Sequence, residues 1–193
     1  MLDSRSSLGD RRRVVVRKAR AEDIPVVMEI NLESLPENYW YGFYKYILDN
    51  WGDAFLVAEL GEDIVGYSMS RVETTADPVL LGLKTELEGE KSVIDKILDA
   101  IRNQLSEERN VGHLVSIAVR PGYRRLGVGS ALMSETVRVM KEIYGVESIF
   151  LEVRVSNIQA IRLYEKFGFV KVRRIKGYYR DGEDAFVMVK RLA

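Results

Sequence analysis

Apolar and polar positions along this chain change period several times, and each change marks an element. Residues 14–18 alternate as a short strand. Glu22 and Asp23 with Pro25 then open a helix, because acidic residues and proline suit a first helical turn. Leu35-Pro36-Glu37-Asn38 breaks that helix, and an aromatic one follows through Tyr41, Tyr44, Tyr46 and Leu48. Residues 54–60 and 64–72 alternate as strands around Gly61-Glu62-Asp63, a hairpin signal. The β-branched run 114–119 predicts a further strand, after which Leu132, Met133, Val137, Met140 and Ile143 recur three or four apart, as on one helix face. A strand at 149–155, a helix at 158–167 and closing strands near 169–175 and 185–190 complete the string.

Strands and helices thus alternate along 193 residues, which predicts one mixed α/β (α+β) domain of about seven strands flanked by helices. Its expected span is 14–193, preceded by a polar, flexible tail over 1–13 that ends in Arg11-Arg12-Arg13. Between the third and fourth strands lies a long excursion, 73–112. Val93, Ile94, Ile97, Leu98, Ile101 and Leu105 line one face of a helix there. Packing on the body is the expected role of that helix; a dimer contact or a lid is the alternative.

Composition narrows the chemistry. Lys plus Arg and Asp plus Glu both number 29, so no global field favours nucleic acid. The absence of cysteine removes disulfides, thiolate catalysis and cysteine-type zinc sites. No apolar run reaches membrane-spanning length, and the N-terminal residues lack a signal-peptide core. The expectation is a soluble, cytoplasmic protein that uses neither membrane nor nucleic acid.

Arg124-Arg125-Leu126-Gly127-Val128-Gly129 joins the 114–119 strand to the following helix. A loop so placed offers unpaired N–H groups and the positive end of a helix dipole, a site for phosphate or pyrophosphate. It lacks the Lys-Ser/Thr of a P-loop and the third glycine of a dinucleotide fingerprint. It matches instead the Arg/Gln-x-x-Gly-x-Gly/Ala signature of the Gcn5-related N-acetyltransferases (GNAT), whose loop holds the pyrophosphate of acetyl-CoA. Four further stretches carry the likeness: Leu35-Pro36-Glu37-Asn38-Tyr39, residues 113–119, Leu151-Glu152-Val153-Arg154-Val155-Ser156-Asn157, and residues 177–185. With them the chain resembles the protein N-terminal α-amino acetyltransferases of the archaeal Ard1/RimI type, which are similar to the catalytic subunit of the NatA complex. The long excursion is the one departure from that pattern.

The resemblance implies a GNAT fold with a helical insertion between strands 3 and 4, and acetyl-CoA as cosubstrate. Its pyrophosphate would lie on Arg124, Arg125, Leu126, Gly127, Val128, Gly129 and Ser130. Its pantetheine would pair with the backbone of Ile117, Ala118 and Val119, where two strands splay. Asn157, Tyr164 and Lys166 would complete the cofactor contacts. Leu35, Pro36, Glu37, Tyr39, Tyr178 and Tyr179 would wall the pocket for the first peptide residues. The implied substrates are protein N-termini, including nascent chains at the ribosome, and an auxiliary subunit or a homodimer stays open.

Direct attack of an amine on a thioester needs a neutral amine, a polarised carbonyl and a proton for the leaving thiolate, but no covalent enzyme intermediate. Tyr164 matches the family tyrosine that serves the CoA sulfur, and the Val119 N–H is the expected donor to the carbonyl. Glu37 ranks first as base, and the pair His113 and Glu152 second. Two such ligands are too few to imply a metal. The competing readings are an acetyltransferase for internal lysine or a small amine, and a non-catalytic acyl-CoA-binding module.

Overall fold

The structure, a computed structural model, describes residues 13–83 and 107–192. The tail up to residue 12 and the helix expected over 93–105 lie outside the described residues. The elements run β1 (Val14–Lys18), α1 (Ile24–Ser34), α2 (Tyr41–Trp51), β2 (Phe55–Leu60), β3 (Asp63–Thr75), β4 (Arg109–Val119), α3 (Val128–Glu142), β5 (Ser148–Arg154), α4 (Ile158–Lys166), β6 (Val170–Ile175) and β7 (Ala185–Arg191). The seven strands form one sheet in the order β1-β2-β3-β4-β5-β7-β6. Every recorded ladder is antiparallel except β4 with β5.

The described residues divide into two compact units, one reaching Arg71 and taking in Val115–Val139, the other Val72–Leu114 with Met140 onward. In the first, the two-residue period of β2 decides the packing. Phe55 and Val57 join Ile24, Val27, Ile30, Tyr44 and Ile47 from α1 and α2. Leu56 and Ala58 join Val128 and Leu132 of α3. The hairpin turn is tighter than the sequence suggests. Leu60 pairs with Asp63, so the loop is Gly61-Glu62 alone, with Gly61 at φ 68°, where glycine carries no Cβ penalty.

Just before α1, Asp23 accepts from the Arg20 amide at 2.7 Å and from the Arg17 guanidinium at 2.6 and 3.1 Å. The Arg17 contact, though opposed by burial, holds that carboxyl below its ordinary value. Pro25 falls in the first turn of α1, where a missing N–H costs no hydrogen bond. At Gly66 the backbone of β3 comes close to β4. A Cβ there would lie 2.9 Å from the Ala118 carbonyl oxygen and 3.1 Å from Val128 Cγ1.

In the second unit β5 pairs with β7 at seven positions, Ser148↔Arg191 to Arg154↔Ala185. With β4 it pairs only at Gly112↔Ile149 and His113↔Phe150. Val79, Leu81, Val111, Phe150, Val172, Val187 and Val189 form the core. The excursion expected over 73–112 loses both ends to the sheet, since β3 runs to Thr75 and β4 begins at Arg109. Buried Val111 and a Thr74–Asn110 side-chain bond of 3.1 Å account for the longer strands. Helix α4 starts at Asn157, whose Oδ1 accepts the Ala160 N–H at 3.2 Å, an N-cap.

Candidate active site

The glycine loop forms as its sequence requires. Arg125 sits at φ 65°, alone among described non-glycine residues in that region, and Gly127 at φ 85°. A non-glycine residue in that conformation is typical of loops shaped for a ligand. The first bond of α3 runs from the Ala131 N–H to the Gly127 carbonyl at 2.9 Å, so the amides of Val128, Gly129 and Ser130 precede the ladder. The first turn of α3 carries no acidic residue. Arg124, Arg125, Leu126 and Gly127 are exposed, and a Cβ at Gly127 would meet nothing within 4 Å. Arg124 Nε donates to the Val119 carbonyl at 3.2 Å, tying the loop to the end of β4. First-turn amides and exposed cations, with no acidic residue in that turn, suit a pyrophosphate.

The end of β4 is held from its own unit. The Val119 carbonyl also accepts the Ser34 hydroxyl at 3.3 Å, and the Val115 carbonyl faces the Tyr39 hydroxyl at 3.5 Å. Between them, Ser116 Oγ lies 2.7 Å from the buried Tyr67 hydroxyl, which also accepts from Asn31 at 2.8 Å. Burial drives the Tyr67 phenol up to about 12. The carbonyls of Val115 and Val119 and the hydroxyl of Ser116 are thus held, while Ile117 and Ala118 lie between. Leu35 and Tyr39 pack on the α1–α2 core, and Tyr39 stacks on Phe43 with centroids 4.8 Å apart. Glu37, half-buried, and exposed Pro36 sit in the same break between α1 and α2.

In the second unit, the fold brings His113 and Glu152 together, with Nε2 to Oε2 at 2.9 Å. It adds a residue the sequence reading missed: Glu73 Oε1 lies 2.7 Å from Nδ1. Phe150 stacks on the ring at 4.3 Å. Burial pulls the imidazole down, but the Glu152 and Glu73 contacts outweigh it and leave His113 above its ordinary value. Both ring nitrogens are therefore occupied by carboxylates, and among the described residues no three His, Asp or Glu side chains are arranged to hold a metal. No local signal marked Glu73, which lies one residue beyond the expected end of its strand and meets its partners only through the sheet.

Tyr164 is 7% exposed in α4 and tilts against Phe169. Burial alone pushes its phenol upward. No described group hydrogen-bonds its hydroxyl, yet that oxygen is not among the sealed, unpartnered ones, which are Tyr44 Oη and Ser70 Oγ. It is a protonated phenol held by its ring. Asn157 caps α4, and Lys166 is exposed in its last turn.

The Tyr178-Tyr179 loop is clamped by Arg154, again missed from sequence. Arg154 Nη1 reaches Asp181 at 2.7 Å and Glu183 at 2.8 Å, and its guanidinium lies 4.0 Å over the Tyr179 ring. Tyr178 meets Tyr179 edge-on at 5.0 Å. Glu183 Oε1 accepts the Ser156 amide at 2.9 Å, and Asp184 Oδ1 the Gly177 amide at 2.8 Å. The Ser156 contact first, then Arg154, keeps Glu183 below its ordinary value. The acids in Asp181-Gly182-Glu183-Asp184 thus close a loop. The acidic run itself was visible in sequence; its meeting with Arg154 was not.

Residues 24–169 match the acetyltransferase (GNAT) family. The chain belongs to that family. It is 41% identical over 177 residues to an N-alpha-acetyltransferase of Saccharolobus solfataricus, covering 92% of each chain. It is 31% identical to the N-terminal acetyltransferase A complex catalytic subunit ard1 of Schizosaccharomyces pombe, over 91% of this chain and 84% of that one. Among solved structures, Ard1 from Thermoplasma volcanium superimposes with a TM-score of 0.70 at 26% identity, over 93% and 98% of the two chains. The strand order and the short β4–β5 ladder are therefore those of a GNAT protein in this chain.

Proposed function

We propose that this protein is an acetyl-CoA-dependent N-α-acetyltransferase, acting on the free N-termini of proteins by direct attack. The observation that carries this reading is the 41% identity, over 92% of each chain, with a relative bearing that name. Acetyl-CoA enters as the substrate that the family's chemistry demands. The anion rim from Arg124 to Ser130, with first-turn amides that precede the helical ladder, suits the pyrophosphate. Ile117, Ala118 and Val119 supply the backbone for the pantetheine, with the Val119 N–H as donor to the thioester carbonyl. Support comes from the β4–β5 ladder, which ends at His113.

A peptide α-amine has a pKa of about 7.7–8.0 against about 10.4 for lysine, so an N-terminus needs only a modest base. Glu37 remains first for that role and His113 with Glu152 second. The amine nitrogen bonds to the acetyl carbon, the carbon–sulfur bond breaks, and the amine proton passes to the base. Tyr164 keeps its own proton through the neutral range, because burial raises its phenol. It therefore serves the departing sulfur as a hydrogen-bond donor. On the family resemblance, Leu35, Pro36, Tyr39, Tyr178 and Tyr179 are assigned to the peptide, and Asn157 and Lys166 to the cofactor. The same proposal puts the protein in the cytoplasm, with nascent chains as substrates. Among the described residues no helix is long and apolar enough to cross a membrane.

Labelled acetyl-CoA offered with peptides of free or blocked N-terminus, each with an internal lysine, tests the reading on the purified chain alone. Label should enter only the free-terminus peptides. Equal labelling of blocked peptides would move the activity to lysine, and tight acetyl-CoA binding without transfer would leave a binding module.

A further inference from the structure

The trio Glu73, His113 and Glu152 spans three neighbouring strands, β3, β4 and β5. Each imidazole nitrogen faces its own carboxylate oxygen, at 2.7 and 2.9 Å. A neutral imidazole has one N–H and one lone pair, so it satisfies only one such oxygen. The other contact would set lone pair against lone pair. Two carboxylates at hydrogen-bond distance are matched only by an imidazolium, with both nitrogens donating. The side chains are 32%, 13% and 17% exposed in the order Glu73, His113, Glu152, so water does little to relieve a mismatch. Phe150 covers one ring face. Glu73 and Glu152 are the two charged groups that act on the ring from the strands packed beside it.

We infer that Glu73 is a positioning residue for the transfer reaction: it holds the Nδ1–H of His113, so that the ring stands as a doubly protonated donor to Glu152. The proton acceptor of the pair is then Glu152 and not the histidine. Its Oε2 receives the Nε2–H, and among the described residues no group bonds its other oxygen. As the substrate nitrogen bonds to the acetyl carbon, its N–H breaks and an O–H forms on Glu152, directly or through one water. The trio carries one net negative charge, which draws an α-ammonium group toward it before deprotonation. A lone histidine would offer no such attraction. This inference rests on the functional reading above and takes the second of its two candidate bases, the His113 and Glu152 pair, in place of Glu37.

His113 is the sole histidine of the chain, so its ring resonances need no assignment and report its protonation whether or not the enzyme turns over. The test compares wild type with Glu73→Gln, an isosteric change that keeps a hydrogen-bond acceptor and removes the charge. Thermal unfolding checks that the variant folds. The His113 midpoint should lie above the ordinary 6.5 in wild type and fall by about one unit in the variant. Acetylation of a free-terminus peptide should show kcat/KM of the variant falling further behind wild type as pH rises from 6.5 to 8.5, to about tenfold. Loss at high pH follows from the sign, since a lower midpoint deprotonates the required imidazolium sooner. A variant that gains activity at low pH would make neutral His113 the base and overturn the inference. An unmoved midpoint in an active enzyme would do the same. A wild-type chain with no transfer to any peptide sinks the functional reading instead, while the midpoint still reports on the Glu73 contact.

Discussion

The tyrosine hydroxyl of Tyr164 is the residue whose role is most easily isolated, because its ring carries the packing and its oxygen carries no bond to a described group. Tyr164→Phe should leave the melting temperature within a degree or two and cut kcat by about 10²-fold. Stopped assays on variant and parent check it; a variant with full kcat removes the phenol from the mechanism. Gly66 is the opposite case, a residue with no chemistry and no room. Its missing Cβ would press the Ala118 carbonyl at 2.9 Å, backbone that gives way only if β4 shifts. Gly66→Ala should cost about 1–3 kcal/mol in urea unfolding. A neutral outcome would mean that β3 and β4 separate more easily than their packing indicates. The sequence marks Gly127 as a turn residue, but nothing in it marks Gly66, because the atom that excludes a side chain comes from residue 118.

Two elements carry the candidate chemistry. In the strand–loop–helix unit, Gly127 sits at φ 85°, a conformation that costs alanine strain even in open space. Gly127→Ala should destabilise by about 1 kcal/mol or more and raise the KM for acetyl-CoA while leaving that for peptide unchanged. From the end of β5, Arg154 neutralises Asp181 and Glu183 of the β6–β7 connection and stacks on the Tyr179 ring. Arg154→Met keeps the length of the side chain and removes its charge. The expected result is a peptide KM about tenfold higher, equivalent to ~1.4 kcal/mol, with the acetyl-CoA KM unchanged. Equal effects on both substrates would assign Arg154 to general stability. The order and type of these elements were legible because the apolar period switches cleanly between two and 3.6 along the chain. Strand ends were less so: β3 and β4 run into the expected excursion because Val111 is buried and Thr74 bonds Asn110, and neither contact is local.

For the molecule as a whole, the raised histidine makes a statement about pH and stability. A group whose folded value exceeds its unfolded one stabilises fully below the unfolded value, here about 6.5, and loses that contribution as pH rises through the folded value. Unfolding free energy should therefore decline from pH 6.5 upward by an amount that Glu73→Gln reduces, read by urea titration at several pH values. On the acid side, Asp23 is held low by Arg17, so its contribution is present above about 3.9 and disappears as pH falls through its folded value. With 29 charges of each sign, no net field masks the histidine effect near neutrality. What the sequence determined by itself was local: the alternation that makes β2 a two-faced strand, the glycine that turns the loop before α3, and the motifs that name the family. These depend on residues within a few positions of one another, where backbone sterics and side-chain period act directly. The tertiary structure alone decided that His113 meets two carboxylates, 40 positions before it and 39 after it, and that Arg154 closes a loop 27 and 29 positions downstream. Register between strands sets those meetings, and register follows from burial of the whole sheet, which no short stretch of the chain encodes.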